Sequence, residues 1–243
     1  MTDARGEAAA IAGELKVLLE RERDRGRRRI VLEAAPRIAP TVQPPSGRVA
    51  NLEVPRFEAL PGDLQEIERM VAECRKCGLC ATRTKTVFAD GSPAARLVFV
   101  GEAPGRDEDL RGLPFVGRAG QLLDKMIAAI QLRREDVYIC NILKCRPPDN
   151  RTPAPAEVEQ CMPYLERQIA LVRPALICAL GLSATQALLG TKASMGSLRG
   201  RTFAYNGIPL IPTYHPAALL RNPSLKREAW EDMQRVRDTL KGS

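Results

Sequence analysis

RLVFVGEAPGRDEDLRGLPFVGRAGQ, residues Arg96 to Gln121, decides how this chain is read. Four consecutive apolar residues, Leu97, Val98, Phe99 and Val100, stop at Gly101-Glu102-Ala103-Pro104-Gly105. Three acids follow (Asp107, Glu108, Asp109), then Gly112, Pro114-Phe115 and a helical pattern from Gly117. A short apolar run bounded by turn residues reads as a buried strand. The residues after it then lie at the strand's carboxyl end, where open α/β sheets bind ligands. A solvated βα connection would look similar, because one glycine-rich turn is weak evidence by itself. The rest of the chain must decide.

Working outward, Val137–Leu143 and Ala175–Leu180 repeat the buried-strand pattern, and Leu122, Leu123, Met126, Ile127 and Ile130 form a helix stripe between strands. Ala156–Val172 reads as a second helix. Ser183 is placed to cap the helix after Gly181, and Ser224 a final helix with Trp230, Met233 and Val236 inward. Asn206-Gly207 between Thr202–Tyr205 and Ile208–Tyr214 signals a hairpin. Strands alternating with helices predict a mostly parallel sheet covered on both faces. Three strand ends then meet on one rim, presenting Glu102–Phe115, Asn141–Arg146 and His215–Asn222.

Residues 64–243 carry this pattern. Residues 1–34 read as a charged helix, basic through Arg21–Arg29, and residues 35–63 as a proline-rich linker. The net charge of +8 over 243 residues favours a polyanionic partner such as nucleic acid. No apolar run approaches a membrane span and the N-terminus lacks a secretory pattern, so a soluble, cytoplasmic protein without membrane contact is expected. Seven unevenly spaced cysteines argue against a secreted disulfide framework. Cys74 and Cys77 form a Cys-x-x-Cys pair extended by Cys80, while Cys145 follows a strand and Cys161 lies on the next helix. Four thiolates from separated segments suit tetrahedral zinc or an iron–sulfur cluster. Cys140 and Cys178, inside apolar strands, read as inert buried thiols.

On the rim, His215 is the chain's one histidine and stands before Pro216, placed to hydrogen-bond a leaving group that gains negative charge. Asn141 offers a donor and an acceptor in one plane, as base-edge reading requires. Phe115, in a glycine- and proline-framed loop of a chain with 4% aromatics, is a candidate stacking plate.

Gly101-Glu102-Ala103-Pro104-Gly105, Pro114-Phe115-Val116-Gly117, Asn141, Lys144-Cys145-Arg146-Pro147-Pro148 and His215-Pro216 through Leu220-Arg221-Asn222-Pro223 together resemble the family 4 (iron–sulfur, thermostable-type) uracil-DNA glycosylases. The likeness covers roughly residues 74–240. It implies a three-layer αβα sandwich around a four-stranded, mainly parallel sheet. It also implies a monomeric, monofunctional repair enzyme that flips uracil out of DNA, hydrolyses the N-glycosidic bond and leaves an abasic site. By the resemblance, a 4Fe-4S cluster sits on Cys74, Cys77, Cys145 and Cys161, with zinc the alternative; Cys80 is extra to the pattern.

Residue by residue, the resemblance makes His215 the donor to uracil O2 and Glu102, with the Ala103 backbone, the holder of the attacking water. Phe115 stacks, Asn141 reads N3–H and O4, Glu108 lines the pocket against a C5 methyl, and Leu219 or Leu220 wedges into the base stack. Lys144, Arg146, Arg118, Arg199, Arg221 and Lys226 are candidates for phosphates. A related branch traps DNA covalently through a histidine in an inserted loop. The matching stretch here, Pro147–Pro153, has none, which implies turnover. The implied setting is the cytoplasm, at the nucleoid when on DNA. The competing reading is a non-catalytic metal-bearing DNA-binding module, tethered to a repair or replication partner through residues 1–63.

Overall fold

The computed structural model describes residues 60–242, so the expected helix of residues 1–34 and most of the linker lie outside the described residues. Leu60 is buried with Ile67, Val71, Phe88 and Tyr164, and Arg167 Nε donates to the Pro61 carbonyl at 2.8 Å. The last residues of the expected linker are therefore packed on the domain.

Helix α1 (Leu64–Ala72) starts where the Asp63 carboxylate accepts from the Gln65 and Glu66 amides. After it come β1 (Ala89–Gly91), β2 (Leu97–Gly101), α2 (Arg106–Arg111), α3 (Arg118–Ala129), β3 (Tyr138–Asn141), α4 (Pro155–Val172), β4 (Leu176–Leu180), α5 (Leu182–Leu189), α6 (Met195–Leu198), β5 (Phe203–Tyr205), β6 (Ile208–Thr213), α7 (Pro216–Arg221) and α8 (Lys226–Gly242). The sheet has six strands in the order β1-β3-β2-β4-β6-β5, not four. The inner four are parallel, as expected; β1 and β5 add short antiparallel edges. The second edge is the predicted hairpin, with Asn206 at φ 48° and Gly207 at φ 82°. Both central turn residues in the left-handed region make a turn that matches strand twist.

Every residue of β2, β3 and β4 is buried. Alternation divides them between two cores. Val98, Val100, Cys140, Ile177 and Ala179 pack under Leu165 and Ile169 of α4 and Ala184 of α5. Leu97, Phe99, Ile139, Leu176 and Cys178 pack under Leu123 and Ile127 of α3 and Met233 and Val236 of α8. This is the predicted three-layer αβα arrangement, and Cys140 and Cys178 are core thiols. Three local expectations are corrected. Gly181, at φ 92°, takes the N-cap position of α5 instead of Ser183. Ser224 falls in a 3₁₀ turn before α8, capped by Asn222. Trp230 stays substantially exposed, because Met233 and Val236 fill the inward stripe.

Candidate active site and cysteine cavity

The parallel register pairs Val100 with Cys140 and Gly101 with Asn141, so the turn after β2 and the end of β3 open side by side. Farther along the sheet, β6 ends at Thr213, and Tyr214 and His215 follow at the same rim. These ends border a cleft of about 590 Å³ whose lining includes Glu102, Ala103, Glu108, Phe115, Asn141 and His215. The structure thus brings together six of the residues singled out in the sequence. Leu220 stands outside the lining, 37% exposed on α7, whereas Leu219 is 2% exposed and belongs to the core.

Phe115 is held in an unusual way. Its backbone adopts φ 51°, left-handed for a bulky side chain, which costs of order 1–3 kcal/mol unless neighbours enforce it. They do. Arg134 donates to the carbonyls of Pro114 (2.7 Å) and Phe115 (3.3 Å), and is itself fixed by Asp90 and Asp124. From the other side, Glu108 Oε1 accepts from the Val116 and Gly117 amides, both at 2.9 Å. A side chain at Gly120 would collide with the Phe115 carbonyl. The phenyl ring thereby faces His215, with centroids 5.5 Å apart and planes tilted by 31°.

Asn141 is buried and its Oδ1 has no hydrogen-bond partner. An orphaned buried acceptor costs about 1–3 kcal/mol, so one maintained at a cleft points to a ligand donor. Gly101 makes room for it: a β-carbon there would run into both Asn141 Oδ1 and the Phe115 ring. The Asn141 main chain is anchored from behind, where the buried Lys144 ammonium donates to its carbonyl at 2.7 Å and also to Gln168 Oε1.

His215 Nδ1 accepts from the Ala217 amide at 3.1 Å, which leaves the ring proton on Nε2 as the remaining donor. Burial, reinforced by the positive charge of Arg221 and opposed by Glu108, lowers its pKa to about 4. The imidazole is neutral at pH 7.

Two of the expected phosphate contacts are overturned. Lys144 is buried and spent on Asn141 and Gln168. Arg199 is engaged by Glu228, Glu231 and Asp232. Arg118, Arg221 and Lys226 are exposed, and Arg146 donates to Asn150. Sequence reasoning also missed the Arg134 clamp and the space-making glycines. Nothing local marks an arginine that acts on a loop about twenty residues away.

A second, largely enclosed cavity gathers Cys74, Cys77, Cys80, Cys145 and Cys161 with Arg83, Lys144 and Tyr164. Arg83 donates to Cys145 Sγ at 3.1 Å and the Lys144 amide to Cys161 Sγ at 3.3 Å, both suited to thiolate sulfur. Burial pushes the Cys161 thiol up to about 11 and raises Cys145 as well. Among the described residues no group of three or more Cys, His, Asp or Glu side chains is placed to hold a metal ion.

The sequence model of the uracil DNA glycosylase superfamily matches residues 88–234. The chain is 46% identical over 181 residues to the type-4 uracil-DNA glycosylase of Archaeoglobus fulgidus, covering 71% of this chain and 91% of that protein. It is 43% identical over 182 residues to the type-4 enzyme of Thermotoga maritima, covering 73% of this chain and 95% of that protein. To the type-5 uracil-DNA glycosylase of Pyrobaculum aerophilum it is 32% identical over 146 residues, covering 53% and 64%. A strand-end cleft with a buried, unpartnered asparagine oxygen and these similarities lead to one conclusion: the chain belongs to the uracil DNA glycosylase superfamily, on its type-4 branch.

Proposed function

We propose that the protein excises uracil from DNA by hydrolysing the bond between the base and its deoxyribose, leaving an abasic site. The observation that carries this reading is the buried, unpartnered Asn141 Oδ1 beside Phe115 and His215. An everted uracil offers N3–H to that oxygen and O4 to the Asn141 amide nitrogen. Cytosine presents a lone pair at N3 and a donor at N4, which leaves the amide mismatched. Extrusion of the nucleotide costs a few kcal/mol, offset by stacking on Phe115 and by these hydrogen bonds. Leu220, exposed beside the cleft, takes the space the base vacates.

Cleavage of the glycosidic bond builds positive charge on the sugar and negative charge on the base. His215 Nε2–H donates to uracil O2 as that charge grows. Because the ring is neutral at pH 7, it acts as a positioned donor to an anion and does not hand over its proton. Glu102, with the Ala103 backbone, orients the attacking water at the mouth of the cleft. Arg118, Arg221 and Lys226 supply charge for the DNA backbone.

Cys74, Cys77, Cys145 and Cys161 would hold a 4Fe-4S cluster. Sulfurs disposed around a cavity suit a multi-iron centre, in which each iron takes one thiolate. Zinc on the same four sulfurs is the alternative. The cluster, when bound, cross-links the segment after α1 to β3 and α4; no chemical step passes through it.

The test is a gel assay on a uracil-containing oligonucleotide. Abasic product with the wild-type chain, and a ~10²–10³-fold slower turnover in His215→Ala with little change in DNA affinity, are expected. Absence of abasic product at every protein concentration would leave the DNA-binding module.

A further inference from the structure

The cavity holds five thiols, and a cluster of the proposed kind takes four. The inference here rests on that cluster reading and concerns the fifth. Cys77 precedes the 3₁₀ turn Gly78–Ala81, and the Cys80 amide donates to the Cys77 carbonyl at 3.3 Å. Cys77 stands in extended backbone at the head of this turn, Cys80 lies inside it, and both line the cavity. Cys77-Gly78-Leu79-Cys80 repeats the spacing of Cys74-Arg75-Lys76-Cys77 and presents a second thiol to the same cavity wall.

The surroundings favour this thiol as a ligand. Arg83 bonds Cys145 Sγ through one terminal nitrogen and the Ala72 carbonyl through the other, at 3.1 and 2.9 Å. That pins a guanidinium beside the turn, whose Leu79 carbonyl accepts from the Arg83 amide at 3.2 Å. Gly78 between the two cysteines is exposed and has no atom near the position of a β-carbon, so no packed side chain crowds the link between them. Leu79 is buried and docks the turn on the core, so both thiols stay at the cavity.

We infer that Cys80 is a reserve ligand, placed to take over the iron held by Cys77. In the exchange one Fe–Sγ bond to Cys77 breaks and one to Cys80 forms. The proton leaving the Cys80 thiol balances the one taken up by the released Cys77 thiolate, and no electron moves. A single lesion at Cys77, by oxidation or substitution, would then not cost the protein its cluster.

The experiment uses the full chain purified without oxygen, as wild type, Cys80→Ala, Cys77→Ala, Cys77→Ser and Cys77→Ala/Cys80→Ala. Iron and acid-labile sulfide are measured, and free thiols are mapped by alkylation and mass spectrometry. Wild type, Cys80→Ala and at least one Cys77 single variant should each hold about four irons per chain, and the double variant less than half of that. Cys80 should be alkylated in wild type and protected in the Cys77 variant. Iron-free wild type would refute the cluster reading itself. Iron in wild type, with loss in both Cys77 single variants equal to the double variant, folded or not, would overturn the reserve role alone. So would loss of iron in Cys80→Ala, or alkylation of Cys80 in an iron-loaded Cys77 variant.

Discussion

Substituting alanine at Gly101 is the most direct test of how the cleft is built. A β-carbon at this position would stand 2.6 Å from Phe115 Cζ and 2.9 Å from Cε2, and closer still to Asn141 Oδ1. Carbon atoms pack at about 3.5–4.0 Å, so the ring must retreat by about 1 Å and the carboxamide must turn away. Neither can move freely, since Arg134 and Glu108 hold the Phe115 loop and Lys144 holds the Asn141 backbone. Overpacking of this kind costs about 1–3 kcal/mol of stability, tolerable for a domain of this size. A 1 Å displacement of binding groups costs about 10²-fold in rate. The expected result is a folded protein, slightly lowered in Tm, with single-turnover uracil excision reduced about 100-fold. A folded Gly101→Ala protein within threefold of wild-type activity would refute the argument that Phe115 and Asn141 grip the base from these positions.

Three further outcomes follow from other contacts. The unfolded chain binds a proton at His215 near 6.5 and the folded chain near 4. Stability from the neutral buried ring is therefore complete above pH 6.5 and lost as pH falls towards 4, by about 3 kcal/mol. Urea midpoints at pH 7 and 4.5 should converge less in wild type than in His215→Gln, and equal acid losses in both would contradict the burial argument. Glu108→Ala strands the Val116 and Gly117 amides and should slow excision about 10–100-fold, while Glu108→Gln keeps an acceptor and should restore most of it; equal defects would remove the positioning role. Asp232 is buried under Arg199, Gly200 and Thr213, so Asp232→Ala should destabilise by about 3–5 kcal/mol in urea titration. A loss below 1 kcal/mol would show the network to be dispensable.

Legibility in the sequence follows the range over which each signal acts. The inner strands announce themselves because burial on both faces demands continuous apolar runs, as in Leu97–Val100 and Leu176–Leu180. Rim residues follow at once, since a strand's end fixes where the next turn emerges. Ala89–Gly91 could not be read this way: a three-residue edge with no fully buried residue needs no apolar pattern. Lys144 was misread because a charged side chain in a sequence is assumed to face water, and the two acceptors that bury it come from Asn141 and from Gln168 on another element. The choice of Leu220 over Leu219 needed the phase of α7. Glycines such as Gly101 and Gly120 matter through missing atoms, which only the neighbouring elements reveal.

The order of strands sets the spacing of the candidate site. Asn141 closes β3 and His215 follows β6, and between them lie the ends of β2 and β4, finished by Gly101 and Gly181. A side chain at Gly101 would strike Asn141, and one at Gly181 would press on His215. At those two strand ends there is only main chain, and the separation of the two side chains is counted in interstrand steps of about 4.8 Å. A spacing fixed by sheet pitch rests on the backbone pairing of four parallel strands. The spacing of the site becomes a property of the scaffold, a gauge that is set when the chain folds.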